Sequence, residues 1–365
     1  MKLVIDKKSS SPRKYSLAAF FVSVLLLLVA VTVIVIWTDP FMHYHGPLPY
    51  FHYQLDNERM QNDGIVKNLK YNAIISGTSM TENFRTSEFN ALFAADSIKI
   101  PYTGATFNEV SRAIGVSYET GHELKYVLRS FDLNHIIEEK DAFRTDLGVY
   151  PWYLYNRTVL DDYKYILNGD VIFKYSIPEL ASLFDPSLHG ITSFDEYMSW
   201  REDLTTGKKA VIGQRTGFAF PALQPSLTEE EREIVVDNIR HNILRPADEH
   251  PETTFIYFIP PYNVFWWGLQ KENGVLEKIQ EAEMIALKEM LMRKNIKVHC
   301  FTNMTEFTSD LNNYIDESHY LSEMNSLILN LIRDEKYLLD SNNLDNVLEF
   351  QKEYYDKYPY HELFE

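Results

Sequence analysis

Lys70-Tyr71-Asn72-Ala73-Ile74-Ile75-Ser76-Gly77-Thr78-Ser79-Met80 is the stretch that decides the fold. Its apolar centre reads as a buried strand that runs into a Gly-containing turn and then a helix. Such a turn holds the Ser79 hydroxyl at the C-terminal end of a parallel strand, where open α/β sheets place their ligands. Working outward, residues 97–100 read as a second strand, followed by a turn at Thr103-Gly104-Ala105 and a helix over 107–118. Residues 126–131, 254–259 and 296–301 read as three further strands, the second of these ending abruptly at Pro260-Pro261. A long amphipathic helix is predicted over 275–293. Strands alternating with helices predict a parallel sheet with right-handed crossovers.

Late in the chain, Asp316-Glu317-Ser318-His319 sets an imidazole three residues after a carboxylate, ahead of a helical pattern over 320–329. Ser79, His319 and Asp316 together offer a nucleophile, a general base and a group to orient the base. A Gly-x-Ser after a strand and an Asp-x-x-His near the C-terminus resemble the SGNH/GDSL hydrolase superfamily, over roughly 70–135 and 250–335. That resemblance implies a three-layer, flavodoxin-like α/β fold and an acyl-Ser79 intermediate. It also implies an oxyanion hole built from the Ser79 amide, the Gly104 amide and an Asn side chain.

The chain departs from the superfamily at that Asn. Where the family has Gly-x-Asn-Asp after the third strand, this sequence reads Ser130-Phe131-Asp132-Leu133-Asn134. Asp132 falls in the slot, and a carboxylate there repels an oxyanion. Either Asn134 reaches in, Asp132 orients another group, or the third donor is missing. Membrane-anchored relatives vary here too, so the likeness is nearest to that cell-envelope branch, similar to the teichoic-acid D-alanylation and alginate-type O-acetylation proteins. Tyr262 and Asn263 follow the fourth strand and are expected, with Asp132, to line the same cleft.

An uncharged run of 21 residues begins at Leu17 and ends at Trp37. At 1.5 Å per residue it spans about 30 Å, a bilayer's hydrocarbon thickness. Lys2, Lys7, Lys8, Arg13 and Lys14 precede it against Asp6 alone, so the positive-inside bias predicts a cytoplasmic N-terminus and an extracytoplasmic remainder. The run ends Ile36-Trp37-Thr38-Asp39-Pro40, poor chemistry for signal cleavage, which predicts an uncleaved signal anchor. The expected organisation is a basic tail over 1–16, the anchor over 17–37 and a juxtamembrane segment over 38–69. An α/β domain over 70–340 follows, then an acidic, aromatic tail over 341–365.

The whole chain carries a net charge of −17, and the +4 of the basic tail leaves about −21 for the exported part. That charge argues against nucleic acid as a partner. The 45% hydrophobic content supports a large core. Cys300 is the one cysteine, so no intramolecular disulfide forms; a bacterial cell surface fits such usage, and Cys300 reads as a buried strand-end thiol. Residues 150–249 break into short pieces rich in Tyr, Phe, Pro and charge, either an insertion forming a lid or docking surface or a plain extra helical layer. Residues 56–63 read as a solvated helix, and Trp266-Trp267 as packing rather than sugar stacking.

From the resemblance comes an expected serine esterase or O-acyltransferase acting on a cell-envelope glycopolymer or an acylated carrier. A polytopic membrane acyltransferase is the implied partner, and no cofactor or metal is implied. Two other classes remain open: a catalytically inactive SGNH fold serving assembly, and an anchored sensor whose cleft binds sugar without turnover.

Overall fold

Five apolar runs form one parallel sheet in the computed structural model, which describes residues 12–147, 150–200 and 204–365. The strands are β1 (Ala73–Gly77), β2 (Ser97–Pro101), β3 (Tyr126–Ser130), β4 (Thr254–Ile259) and β5 (Ile296–Cys300). Their order is β2-β1-β3-β4-β5, and every pairing is parallel. All five residues of β1 are buried, because β1 is an inner strand and helices cover both faces of a parallel sheet. The order reverses between β1 and β3. At such a switch point the loops after the two strands part and leave a crevice.

By its contacts the chain divides into two units. One comprises 55–150 and 192–365 and contains the sheet. Its main helices are α2 (Glu58–Asn68), α3 (Thr86–Phe93), α4 (Phe107–Glu119), α5 (Glu229–Ile239), α6 (Val264–Glu272), α7 (Leu276–Met290), α8 (Glu323–Arg333) and α9 (Leu344–Lys357). Capping boxes start α4 at Thr106 and Glu109 and α5 at Thr228 and Glu231, each satisfying otherwise orphaned N–H groups. The C-terminal segment packs within this unit: Tyr355 is fully buried, stacks on Trp267 and donates its hydroxyl to the Thr302 carbonyl at 2.6 Å. Trp266 and Trp267 are both buried in the same packing. Cys300 ends β5 in the core, where burial pushes its thiol up to about 12.

Helix α2 departs from the solvated helix expected over 56–63. Glu58, Gln61, Asn62 and Asp63 are buried. The polar side chains are there to satisfy backbone. Gln61 Oε1 accepts the N–H groups of Asp56 and Asn57, both at 2.9 Å, while Asn62 Nδ2 donates to the Pro101 carbonyl at 2.6 Å. A polar composition therefore marks a helix buried against loops, a case that hydropathy alone cannot separate from a wet surface.

The other unit comprises residues up to 54 together with 151–191. The stretch read from sequence as one insertion over 150–249 thus divides between the units, as does the segment read as juxtamembrane. Here α1 (Pro12–Thr38) contains an apolar span over Ser16–Thr38, long enough to cross a membrane. From Ser16 to Ala30 its side chains are exposed, Leu26 and Leu27 by more than 60%. Its end is tied down: Thr38 Oγ1 donates to Ser176 Oγ at 2.9 Å. Asp39, with φ +46°, stops the helix and accepts the N–H groups of His43, Tyr44 and His45. Residues 1–11, most of the basic tail, lie outside the described residues.

Candidate active site

Each strand of the switch point delivers one loop to the site. After β1, Gly77 turns the chain with φ +149°; a Cβ there would lie 2.2 Å from Ser130 Oγ, so only glycine fits. Thr78 then caps a short 3-10 turn, Ser79–Thr81, with Ser79 half-buried at its start. The segment after Ser79 was expected to be helical at once; the structure gives this single turn before α3.

His319 reaches the same place from a loop anchored on three sides. Tyr314 and Tyr320 form an antiparallel bridge around it, Tyr314 OH donates to the Pro261 carbonyl at 2.5 Å, and Asn263 Nδ2 donates to the Glu317 carbonyl at 3.2 Å. The two halves are clamped beside the reacting groups, because the Met80 carbonyl accepts Tyr320 OH at 3.2 Å and Asn325 Nδ2 at 3.0 Å. Ser79 Oγ lies 2.7 Å from His319 Nε2, and His319 Nδ1 lies 2.8 Å from Asp316 Oδ2. The second Asp316 oxygen accepts the N–H groups of Ser318 and His319 at 2.8 and 2.7 Å.

These contacts set the proton positions. Burial raises the Asp316 pKa, but the His319 ring and the two amides outweigh it, leaving the carboxyl below its ordinary value. A carboxylate only accepts, so Nδ1 carries the ring proton and neutral Nε2 is free to accept the Ser79 hydroxyl. For His319, burial opposes charge, yet hydrogen bonding and attraction to Asp316, with help from Glu82 and Asp132, raise its pKa above the ordinary value. The group is a base that holds a proton well once it has one.

Gly104 follows β2 with φ +60°, and its carbonyl accepts Arg144 Nη1 at 2.6 Å. Among the described residues, neither the Ser79 nor the Gly104 N–H is used in the hydrogen bonds of turns, loops and caps. Asn134 is exposed, and its side chain makes no hydrogen bond among the described residues.

Asp132, Tyr262 and Asn263, expected as cleft-lining, are instead buried, at 3%, 0% and 0% exposure. They hold the turn from inside the fold. Asp132 Oδ2 accepts Thr78 Oγ1 at 2.9 Å and Ser130 Oγ at 2.5 Å, and Oδ1 accepts Tyr262 OH at 2.8 Å. Ser130 Oγ in turn accepts the Thr78 N–H at 3.2 Å. Asn263 caps α6, accepting the Trp266 N–H at 2.8 Å.

Sequence reading missed Glu82 and Trp200. Glu82 is buried; its carboxyl accepts Trp200 Nε1 at 2.6 Å and lies 2.5 Å from Thr103 Oγ1. Trp200, from the expected insertion, sets its ring edge-on to His319 with centroids 5.4 Å apart. The three-residue spacing from Ser79 to Glu82 was the available signal, since one helical turn puts such residues on one side. No family model matches the chain, and comparison with curated proteins and with solved structures finds no match either.

Proposed function

We propose that this chain is a membrane-anchored, SGNH-like serine esterase or O-acyltransferase that acts on a cell-envelope glycopolymer through an acyl-Ser79 intermediate. The observation that carries the reading is the relay from Ser79 Oγ through His319 to Asp316, with spacings of 2.7 and 2.8 Å. It is supported by the β2-β1-β3-β4-β5 order, that of flavodoxin-like sheets, with the serine at the switch point.

In this mechanism His319 Nε2 takes the hydroxyl proton as Ser79 Oγ attacks an ester carbonyl, and Asp316 stabilises the imidazolium. The N–H groups of Ser79 and Gly104 receive the developing oxyanion; one such donor is worth about 3 kcal/mol. Collapse of the intermediate breaks the ester C–O bond, and His319 returns the proton to the leaving oxygen. A second hydroxyl, from water or from a sugar, then gives its proton to His319 and attacks the acyl carbon; the acyl–Oγ bond breaks and His319 returns the proton to Ser79. In the proposed setting α1 is an uncleaved anchor with the N-terminus cytoplasmic, and a polytopic membrane acyltransferase supplies the acyl group, as the resemblance implies.

A fluorophosphonate probe on the detergent-solubilised full chain tests this. Wild type is expected to label and Ser79→Ala is not. Because His319 must be neutral to act, the labelling rate should climb with pH through a value above that of ordinary imidazole. Wild type that stays unlabelled at every pH would sink the enzymatic reading. It would favour the rival, a binding or assembly module, whose support is the exposed position of Asn134, which leaves the third oxyanion donor unaccounted for. The anchor has its own check: the protein should stay with membranes after a high-salt wash and keep its N-terminal residues. Soluble protein starting near Thr38 would replace the anchor with a cleaved signal.

A further inference from the structure

We propose that Glu82 is a positioning residue of this site, fixing Trp200 against the His319 ring and Thr103 beside Gly104, and that it shares one proton with Glu58 across the Thr103 hydroxyl. The positioning role rests on the function proposed above; the shared proton does not.

The argument is a proton count. Thr103 Oγ1 lies 2.5 Å from Glu82 Oε1 and 2.9 Å from Glu58 Oε2. A threonine hydroxyl owns one hydrogen and can donate to one of them only. The other contact is a hydrogen bond only if that carboxyl supplies a proton of its own. Burial raises the Glu58 carboxyl above its ordinary value as well, but Glu58 has the better contacts as an anion: both its oxygens accept the Thr103 N–H, at 2.9 and 2.8 Å, and Arg59 Nη1 reaches Oε1 at 2.5 Å. Among the described residues, the Glu82 carboxyl has no cation as a hydrogen-bond partner. It meets the Trp200 indole N–H, while the Lys99 ammonium donates to the Glu82 backbone carbonyl instead. The consistent arrangement has the Glu82 O–H donating to Thr103, Thr103 donating to Glu58, and Trp200 donating to the second Glu82 oxygen.

Burial pushes the Glu82 carboxyl up to about 7; the Thr103 bond eases it, the Glu58 charge raises it again, and Trp200 and His319 ease it. The proton therefore leaves near neutrality. The other charged groups facing this cluster are Arg59, which also bridges to Glu109 at 3.4 Å, and Asp316 and Asp132 on the His319 side. Tyr197 faces both Glu58 and Glu82. When Glu82 ionises, its negative charge faces His319 and strengthens it as a base. One carboxyl thus couples the ambient pH to the ring that packs on the base and to the base itself.

The test uses the detergent-solubilised full chain with two readouts. The first is the Trp200 fluorescence, taken as wild type minus Trp200→Phe and titrated across neutral pH; it needs no turnover. The second is the pH profile of fluorophosphonate labelling. In wild type the Trp200 emission is expected to change with pH as its hydrogen-bond acceptor becomes charged. In Glu82→Gln that titration should vanish, the acid limb of labelling should move to lower pH, and the plateau rate should fall about tenfold as the base loses its alignment. Glu82→Asp should restore the titration. A Trp200 emission that does not titrate in wild type, or that titrates unchanged in Glu82→Gln, overturns the proposal. So does a labelling profile that merely scales down without moving. If wild type does not label at all, the function fails and the emission arm alone decides the proton sharing. Should Glu82→Gln not fold, Thr103→Val asks the same question: cutting the bridge must change the pH at which Trp200 titrates, and no change refutes the idea.

Discussion

Replacing His319 by alanine is expected to cost about as much activity as replacing Ser79, on the order of 10⁴-fold or more, and the double replacement no more than either single one. The reason lies in the 2.7 Å contact between Ser79 Oγ and His319 Nε2, which makes the two a single device: without the base the hydroxyl keeps its proton, and without the hydroxyl the base has nothing to activate. Asp316→Asn should fall almost as far for a geometric reason. One Asp316 oxygen accepts two backbone N–H groups, and only the other meets the ring. An asparagine keeps its carbonyl on the amides, which turns its NH2 toward His319 Nδ1. The ring must then accept there and carry its proton on Nε2, the tautomer that cannot take a proton from Ser79. Ester hydrolysis and probe labelling by the three single variants and the Ser79/His319 double variant decide the matter. Additive losses, or a His319→Ala variant within about tenfold of wild type, would show that the contact does no joint chemistry.

What the sequence made legible follows from how local the signal is. The five strands are short apolar runs with turn residues at their ends, and an inner parallel strand must be apolar on both faces, so 73–77 and 254–259 announce themselves. Ser79, Asp316 and His319 stood out because the chemistry demands those residue types next to a strand end and a helix start. Beyond the short spacing from Ser79 to Glu82, nothing announced the pairing of Glu82 with Trp200, which joins positions 118 residues apart. The burial of α2 was hidden in the same way: Gln61 and Asn62 serve loop backbone that only the fold brings near them. The division of 150–249 between two units reflects contacts that no composition window reports. Asp132 was the position sequence alone left undecided. Its position after β3 left open whether it orients another group or leaves the third donor missing, and the hydroxyls of Thr78, Ser130 and Tyr262 hold it inward.

That inward carboxylate sets the last expectation: Asp132→Ala should destabilise the protein by about 4 kcal/mol, and Asp132→Asn by about 2 kcal/mol, with activity falling in both. Asp132 is 3% exposed and receives the hydroxyls of Thr78, Ser130 and Tyr262. Alanine leaves those three donors without an acceptor inside the fold, where an unmade hydrogen bond to a charged group costs roughly 1.5–3 kcal/mol before neighbours relax. Asparagine keeps one acceptor, best used by Thr78 and Ser130, which share Oδ2. Its NH2 then faces Tyr262 OH, which must accept rather than donate and leaves its own proton unplaced. The loss of function comes through Thr78. Its hydroxyl also accepts the Met80 N–H at 3.4 Å, so the residues on both sides of Ser79 hang on this anchor. A slackened turn moves Ser79 away from His319, and a misplacement of about 1 Å can cost on the order of 100-fold in rate. Thermal midpoints and labelling rates of the solubilised variants measure both effects. A gain of ester hydrolysis in Asp132→Asn, with Ser79→Ala inert, would contradict the inward reading. It would mean that the Asp132 charge opposes the oxyanion after all, and that the chain holds hydrolysis in check through this residue.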